Sequence, residues 1–217
     1  MRQDFCVLIL SHGRANNVKT VKTLKDRGYT GTWYIVIDDE DDQEPAYRKR
    51  YGEHIVQFCK EDYIQKTDTM NPAPMRSIVV YARNAAWDIA EQLGFDHFIV
   101  LDDDYRSFEY RKASDDGKHL LVRNILSLDY IFSAMFDFLD TSGAVTVAMA
   151  QGGDFIGGVN SAAFKKGLLR KAMNSFFCRT DRRFWFMGTT NEDTNAYTKY
   201  GTEGKLFFTV SGVALLQ

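Results

Sequence analysis

Three short runs, FCVLIL (5–10), TWYIVI (32–37) and HFIVL (97–101), are apolar at nearly every position, and each leads into a polar cluster: SHGR, DDEDD and DDD. A strand with no polar alternation is a strand covered on both faces, which is the habit of parallel sheets flanked by helices. Helical spacing fills the intervals. Val18, Val21 and Leu24 predict a helix that Asn16 or Asn17 can cap and Gly28 can end. HIVQFCK reads as a shorter third strand, and the prolines of NPAPM make 71–75 a loop. Beyond that loop Ile78, Ala82, Ala85 or Ala86, Ile89 and Leu93 share one helical face, with Gly94 as the stop. The expected fold is therefore α/β, a mostly parallel central sheet with helices on both faces. In such sheets ligands bind beyond the carboxyl ends of the strands, where all three polar clusters fall.

After Tyr105 the pattern changes. RNILSLDYIFSAMFDFLDTSG predicts an amphipathic helix through Ile125, Leu128, Phe132, Met135 or Phe136, and Leu139. AVTVAMAQGG predicts a strand, residues 151–195 show no clear periodicity, and GKLFFTVSGVALLQ predicts a terminal strand after which the chain stops, as if trimmed. With 217 residues and no repeat or linker, one domain over 1–217 is expected. No run of about 18 apolar residues and no basic-then-apolar amino terminus is present, so a soluble, cytoplasmic protein is expected, with no membrane partner. Cys6, Cys59 and Cys178 are odd in number and sit in apolar or aromatic surroundings, which favours buried free thiols over disulfides or a metal site.

A carboxylate cluster at a strand end is a divalent-cation site, a set of capping bonds or solvated charge. Position favours the cation for Asp102, Asp103 and Asp104: they follow a buried strand directly, and a second acidic strand end, Asp38-Asp39-Glu40, lies in the same layer. Hard oxygen ligands suit Mg²⁺ or Mn²⁺, held by one or two carboxylates together with the phosphates of a substrate. Alternation along the strand turns Asp102 and Asp104 towards one site and Asp103 elsewhere, as support.

ARNAAWDIAEQLGFDHFIVLDDDY resembles the core of the GT-A glycosyltransferases, in which an Ala-Arg-Asn helix precedes a strand ending in Asp-x-Asp. The second acidic strand end, the loop after the first strand and GTTNEDTNAY fall in that family's order over roughly residues 5–195. More narrowly, SHGR and LDDDY resemble the TET-associated glycosyltransferases of phages, which are thought to decorate hydroxymethylated pyrimidines in DNA. The resemblance implies a nucleotide-sugar-binding half (1–104) and an acceptor-binding half (105–217). It also implies transfer from a nucleoside diphosphate sugar, with UDP the expected nucleotide, to a hydroxyl acceptor, with hydroxymethylcytosine in bacteriophage DNA the favoured case. A phage-encoded enzyme would work in the host cytoplasm.

Carried over by position, Asp38 and Asp39 contact the uracil or ribose, Ser11 and Arg14 line the nucleotide pocket, and Arg83 lies near the nucleotide and steadies the acids. Asp104 is the main metal ligand, Asp102 meets the ribose or the metal shell, and Asp103 supports them. Asp193 with Glu192 serves the acceptor, as general base in an inverting transfer. GT-A proteins often add a late histidine to the metal, but this chain has none after His119.

Charge distribution bears on the acceptor. Net charge is −2, yet Lys165–Arg183 carries seven basic residues against one acid. Lys165, Lys166, Arg179, Arg182 and Arg183 are candidate phosphate contacts, and Trp185, Phe176, Phe177 or Phe184 candidate stacking platforms for a base. Core packing explains those aromatics at least as well, a solvated helix face explains the basic stretch, and helix capping explains Glu192 and Asp193. Rival functions are a nucleotidyltransferase on the same sheet, a glycosyltransferase for a protein or small molecule, and a non-catalytic nucleotide- or DNA-binding module.

Overall fold

All six residues of β1 (Phe5–Leu10) are buried in the computed structural model, which describes residues 2–73 and 75–217. Phe5, Val7 and Ile9 face one core and Cys6, Leu8 and Leu10 the other, so the strand is apolar throughout because the sheet has two covered faces. β1 pairs in parallel with β2 (Thr32–Asp38) and with β4 (His97–Asp102), and β2 pairs in parallel with β3 (Ile55–Phe58). Parallel neighbours need crossovers. These are α1 (Lys19–Asp26), α2 (Glu44–Tyr51), and α3 (Lys60–Ile64) with α4 (Val80–Gln92).

The second half is mixed. A hairpin of β5 (Ser107–Ala113) and β6 (Leu120–Asn124) precedes α5 (Leu128–Ser142) and β7 (Thr146–Gln151). Then come α6 (Ala162–Lys166), β8 (Leu168–Leu169), β9 (Ser175–Arg179), α7 (Glu192–Thr202) and β10 (Phe207–Leu216). The strand order is β3-β2-β1-β4-β9-β7-β10-β5-β6, with β8 paired to β10. β9 runs antiparallel to β4 and β7, whereas β7 and β10 are parallel. One core packs α1 and α5 on the sheet through Leu24, Phe132, Phe136 and Leu139; the other packs α4 and α7 through Ala85, Trp87, Ile89 and Tyr200.

Departures from expectation have local causes. Neither Asn16 nor Asn17 caps α1, whose N-cap is Val18 without a side-chain bond. Gly28 does follow its end, at φ +72, and a Cβ there would fall 2.4 Å from the Leu126 carbonyl oxygen, so both the turn and the close approach demand glycine. The stretch 151–195 contains β9, whose SFFCR lies buried between β4 and β7. Cys6 and Cys178 are buried thiols, but Cys59 is exposed because it follows the last residue of the short β3. Pro74 of the loop expected at 71–75 lies outside the described residues; 71–73 form bends.

Candidate active site

β1, β2 and β4 end at the same edge of the sheet, and a cleft of about 370 Å³ opens there. Ser11, His12 and Arg14 come from the loop after β1, Asp38 from β2, Phe58 and Lys60 from the end of β3, and Asp102–Asp104 from β4. Arg76 to Val79 and the first turn of α4, including Arg83, form the opposite wall.

The three aspartates do different work. Asp103 is 5% exposed and accepts from Ser11 Oγ at 2.6 Å and Arg14 Nη1 at 2.9 Å. Asp102 points the other way: its Oδ2 accepts from Gln217 Nε2 at 3.2 Å and its Oδ1 lies 3.5 Å from Arg83 Nη2. Asp104 Oδ1 is buried and has no hydrogen-bond partner among the described residues. Burial pushes the Asp102 carboxyl up against the pull of Arg83, and the charges of Asp104, Asp103 and Glu192 push it further. The turn itself is pinned from α1, since Thr20 Oγ1 donates to the Asp102 carbonyl at 2.6 Å and accepts the Tyr105 N–H at 3.0 Å.

Asp102 and Asp104 both line the cleft, and the Asp104 oxygen without a donor is the hard acceptor that a divalent cation would fit. Among the described residues no three His, Cys, Asp or Glu side chains converge as a complete cage.

The loop after β1 is built by residues that the sequence did not single out. Asp41 accepts the Gly13 N–H at 2.8 Å, and the Tyr47 hydroxyl accepts the Arg14 N–H at 2.9 Å while bonding Ser11 Oγ at 2.7 Å. Asp38 is 6% exposed and lies 2.8 Å from Lys60 Nζ and 2.8 Å from His12 Nδ1. Asp39, by contrast, is exposed, does not line the cleft, and accepts the Lys60 backbone N–H at 2.8 Å, fastening the start of α3. Lys60 and Arg76 carried no motif; only their place after β3 and before α4 marks them.

Arg83 is 3% exposed, with its guanidinium over the rings of Phe176 and Phe186. Its Nη1 lies 2.7 Å from Glu192 Oε1, and its Nη2 donates to Asn174 Oδ1 at 3.2 Å. Glu192 thus reaches the cleft only through Arg83. Asp193, 7% exposed in the first turn of α7, accepts the Thr194 N–H at 2.6 Å and does not line the cleft.

The basic stretch divides. Arg179 pairs with Asp140 and Asp181 at 2.7 Å each, Arg182 donates to the Leu139 and Ala144 carbonyls at the end of α5, and Arg183 pairs with Asp88 beneath Trp185. Arg179 is opposite His97 in the β4–β9 register, five residues back from Asp102, about 17 Å along the strand. These arginines face away from the acidic edge and already hold structural partners. Phe176, Phe177 and Phe184 are at most 1% exposed and belong to the core, and Trp185 is half-buried against it. Lys165, Lys166 and Arg170 remain exposed, with no ion pair among the described residues.

Comparison with known proteins decides the family. The model of the TET-associated glycosyltransferases matches residues 5–217. The chain belongs to that family. A search of curated proteins returns no match. Among solved structures, this TET-associated glycosyltransferase superposes on glucosyl-3-phosphoglycerate synthase from Mycobacterium tuberculosis, crystallised with Mg²⁺ and uridine diphosphate, with TM-score 0.51 at 11% identity. That match covers 96% of this chain and 69% of that one. A second mycobacterial protein gives TM-score 0.52 at 10% identity, over 97% of this chain and 66% of that one. At such identity the likeness is one of fold, and the chain spans about two thirds of the length of these structures. The expected GT-A-like architecture is the observed one.

Proposed function

We propose that the cleft binds a nucleoside diphosphate sugar, with UDP as nucleotide, and passes the sugar to a hydroxyl acceptor with Mg²⁺ or Mn²⁺ on Asp104 and Asp102. The observation that carries this reading is the buried, unpartnered Asp104 Oδ1 at the carboxyl edge of a parallel sheet. When bound, the cation offsets the charge that builds on the departing diphosphate. The start of α4 assists: its N-cap Val79 has no side-chain bond, and Ser77–Val79, Tyr81 and Ala82 line the cleft, so the positive end of the helix lies at the same charge, while Arg76 beside it is held by Glu40 and Glu61. Arg83 holds Asp102 and Glu192 apart from one another's charge. Ser11 and Arg14 act on the site through Asp103.

On the acceptor side Glu192 is bound to Arg83, whereas Asp193 has no cation on it among the described residues. The resemblance assigns Asp193 as the base that takes the acceptor hydroxyl's proton in an inverting transfer; because Asp193 stands in the first turn of α7, outside the donor cleft, the acceptor must reach it there. The acceptor assigned is a hydroxymethylated pyrimidine of phage DNA, in keeping with the family's name and with the exposed Lys165, Lys166 and Arg170 as phosphate contacts. No described helix is long and apolar enough to cross a membrane; the location assigned, a host cytoplasm, follows from the phage DNA acceptor. The test is transfer from UDP-sugars to duplex DNA carrying hydroxymethylcytosine, followed by mass spectrometry of the nucleosides. Metal-dependent gain of one sugar, lost in Asp104→Ala and Asp193→Asn, is expected; UDP-sugars left intact with every acceptor would reject it.

A further inference from the structure

Asp38, which the resemblance assigns to the base or ribose, is largely occupied by its own chain. Oδ1 accepts the Glu40 N–H at 3.0 Å and lies 2.8 Å from Lys60 Nζ, and Oδ2 lies 2.8 Å from His12 Nδ1. A carboxylate offers about four lone-pair positions, three are engaged here, and the residue is nine-tenths buried. Lys60 is in the opposite condition. Its side chain is 6% exposed and lines the cleft. Of the three ammonium protons, Asp38 and Glu40, at 2.8 and 3.3 Å, take two. The third donor has no partner among the described residues, and the cleft that Lys60 lines is the space open to it.

The position of Lys60 names the acceptor for that donor. In the order β3-β2-β1-β4 it follows the end of β3, three strand spacings from Asp102, or about 14 Å. A nucleoside diphosphate anchored at Asp104 by its phosphates extends its base to that end of the cleft, where Phe58 at the end of β3 supplies apolar surface. We infer that Lys60 reads the donor's base by donating to a ring carbonyl oxygen, with Asp38 acting through Lys60 as a positioning residue. The inference rests on the nucleotide-sugar reading of the cleft. Uracil presents two such oxygens and adenine none, so the site accepts uridine donors and rejects adenosine donors.

Calorimetric titration of UDP, ADP and inorganic pyrophosphate, each with Mg²⁺, tests this on the parent, on Lys60→Met and on Lys60→Met with Asp38→Asn. The double variant removes the buried pair together, so no charge is stranded if the single variant folds poorly. UDP is expected to bind the parent at least about tenfold more tightly than ADP, with the gap closing to about twofold in the variants while pyrophosphate affinity stays unchanged. Parity of UDP and ADP on the parent, or a gap that persists in both variants, overturns the role of Lys60. Failure of UDP and pyrophosphate alike to bind the parent overturns the nucleotide-sugar reading itself, and the inference with it.

Discussion

At the scale of single residues, the site keeps charges that folding alone would not choose. Asp104 Oδ1 is buried without a donor, which costs stability in the free protein and is offset only by a ligand. Asp104→Ala should therefore melt no lower than the parent while weakening metal-dependent UDP binding by at least about a hundredfold, seen by thermal scanning beside calorimetry. Arg83 is the reverse case. Its removal leaves Glu192 and Asp102 facing each other without a cation, so Arg83→Met should cost about 3–5 kcal/mol in urea denaturation. Strand alternation does not explain the division within the triad, because β4 ends at Asp102 and the next two aspartates lie in the turn: Asp103 bonds Ser11 and Arg14, Asp102 lies beside Arg83, and all three line the cleft. The saturation of Asp38 was not legible, because Lys60 reaches it from the start of α3 and His12 from the loop after β1.

Elements show where pattern runs out. Strands of the parallel block announce themselves by continuous apolar runs, and α4 and α5 by one apolar face. β9 does not: its five residues sit in a segment crowded with aromatics and arginines, and only the gap between β4 and β7 makes it a strand. The arginines that follow it read as a phosphate-binding run but finish other elements. Arg182→Ala should cost about 1–2 kcal/mol, because it removes two hydrogen bonds to the end of α5, with UDP affinity unchanged. At the edge of the sheet away from the cleft, Asp140 joins α5 to β4, β9 and Arg2. Burial opposes the Asp140 charge, but donors from His97, Arg2 and Arg179 outweigh it and hold the carboxyl well below the usual range. The stabilisation is complete above about pH 4, where the unfolded carboxyl is also ionised, and drains as pH falls below that towards the lowered folded value. Asp140→Asn should lower the melting temperature at pH 7, with the difference from the parent shrinking below pH 4.

For the molecule as a whole, charge is arranged by face. Acids crowd the carboxyl edge of the sheet, and Lys165, Lys166 and Arg170, exposed and with no ion pair among the described residues, stand on and after α6. Reversing those three to glutamate should weaken binding to duplex DNA and flatten its dependence on salt. Fluorescence anisotropy from 50 to 200 mM salt measures this, with the slope falling by roughly one unit for each phosphate no longer neutralised. Reversing Arg179 should instead lower stability. The central claim, that the acidic edge binds a nucleotide through a divalent cation, is tested most directly by calorimetric titration of UDP with and without Mn²⁺ into the parent and Asp104→Ala. Binding by the parent only when Mn²⁺ is present, with none by the variant, is the expected result. Equal UDP affinity with and without the metal, or an undiminished response in Asp104→Ala, would contradict it.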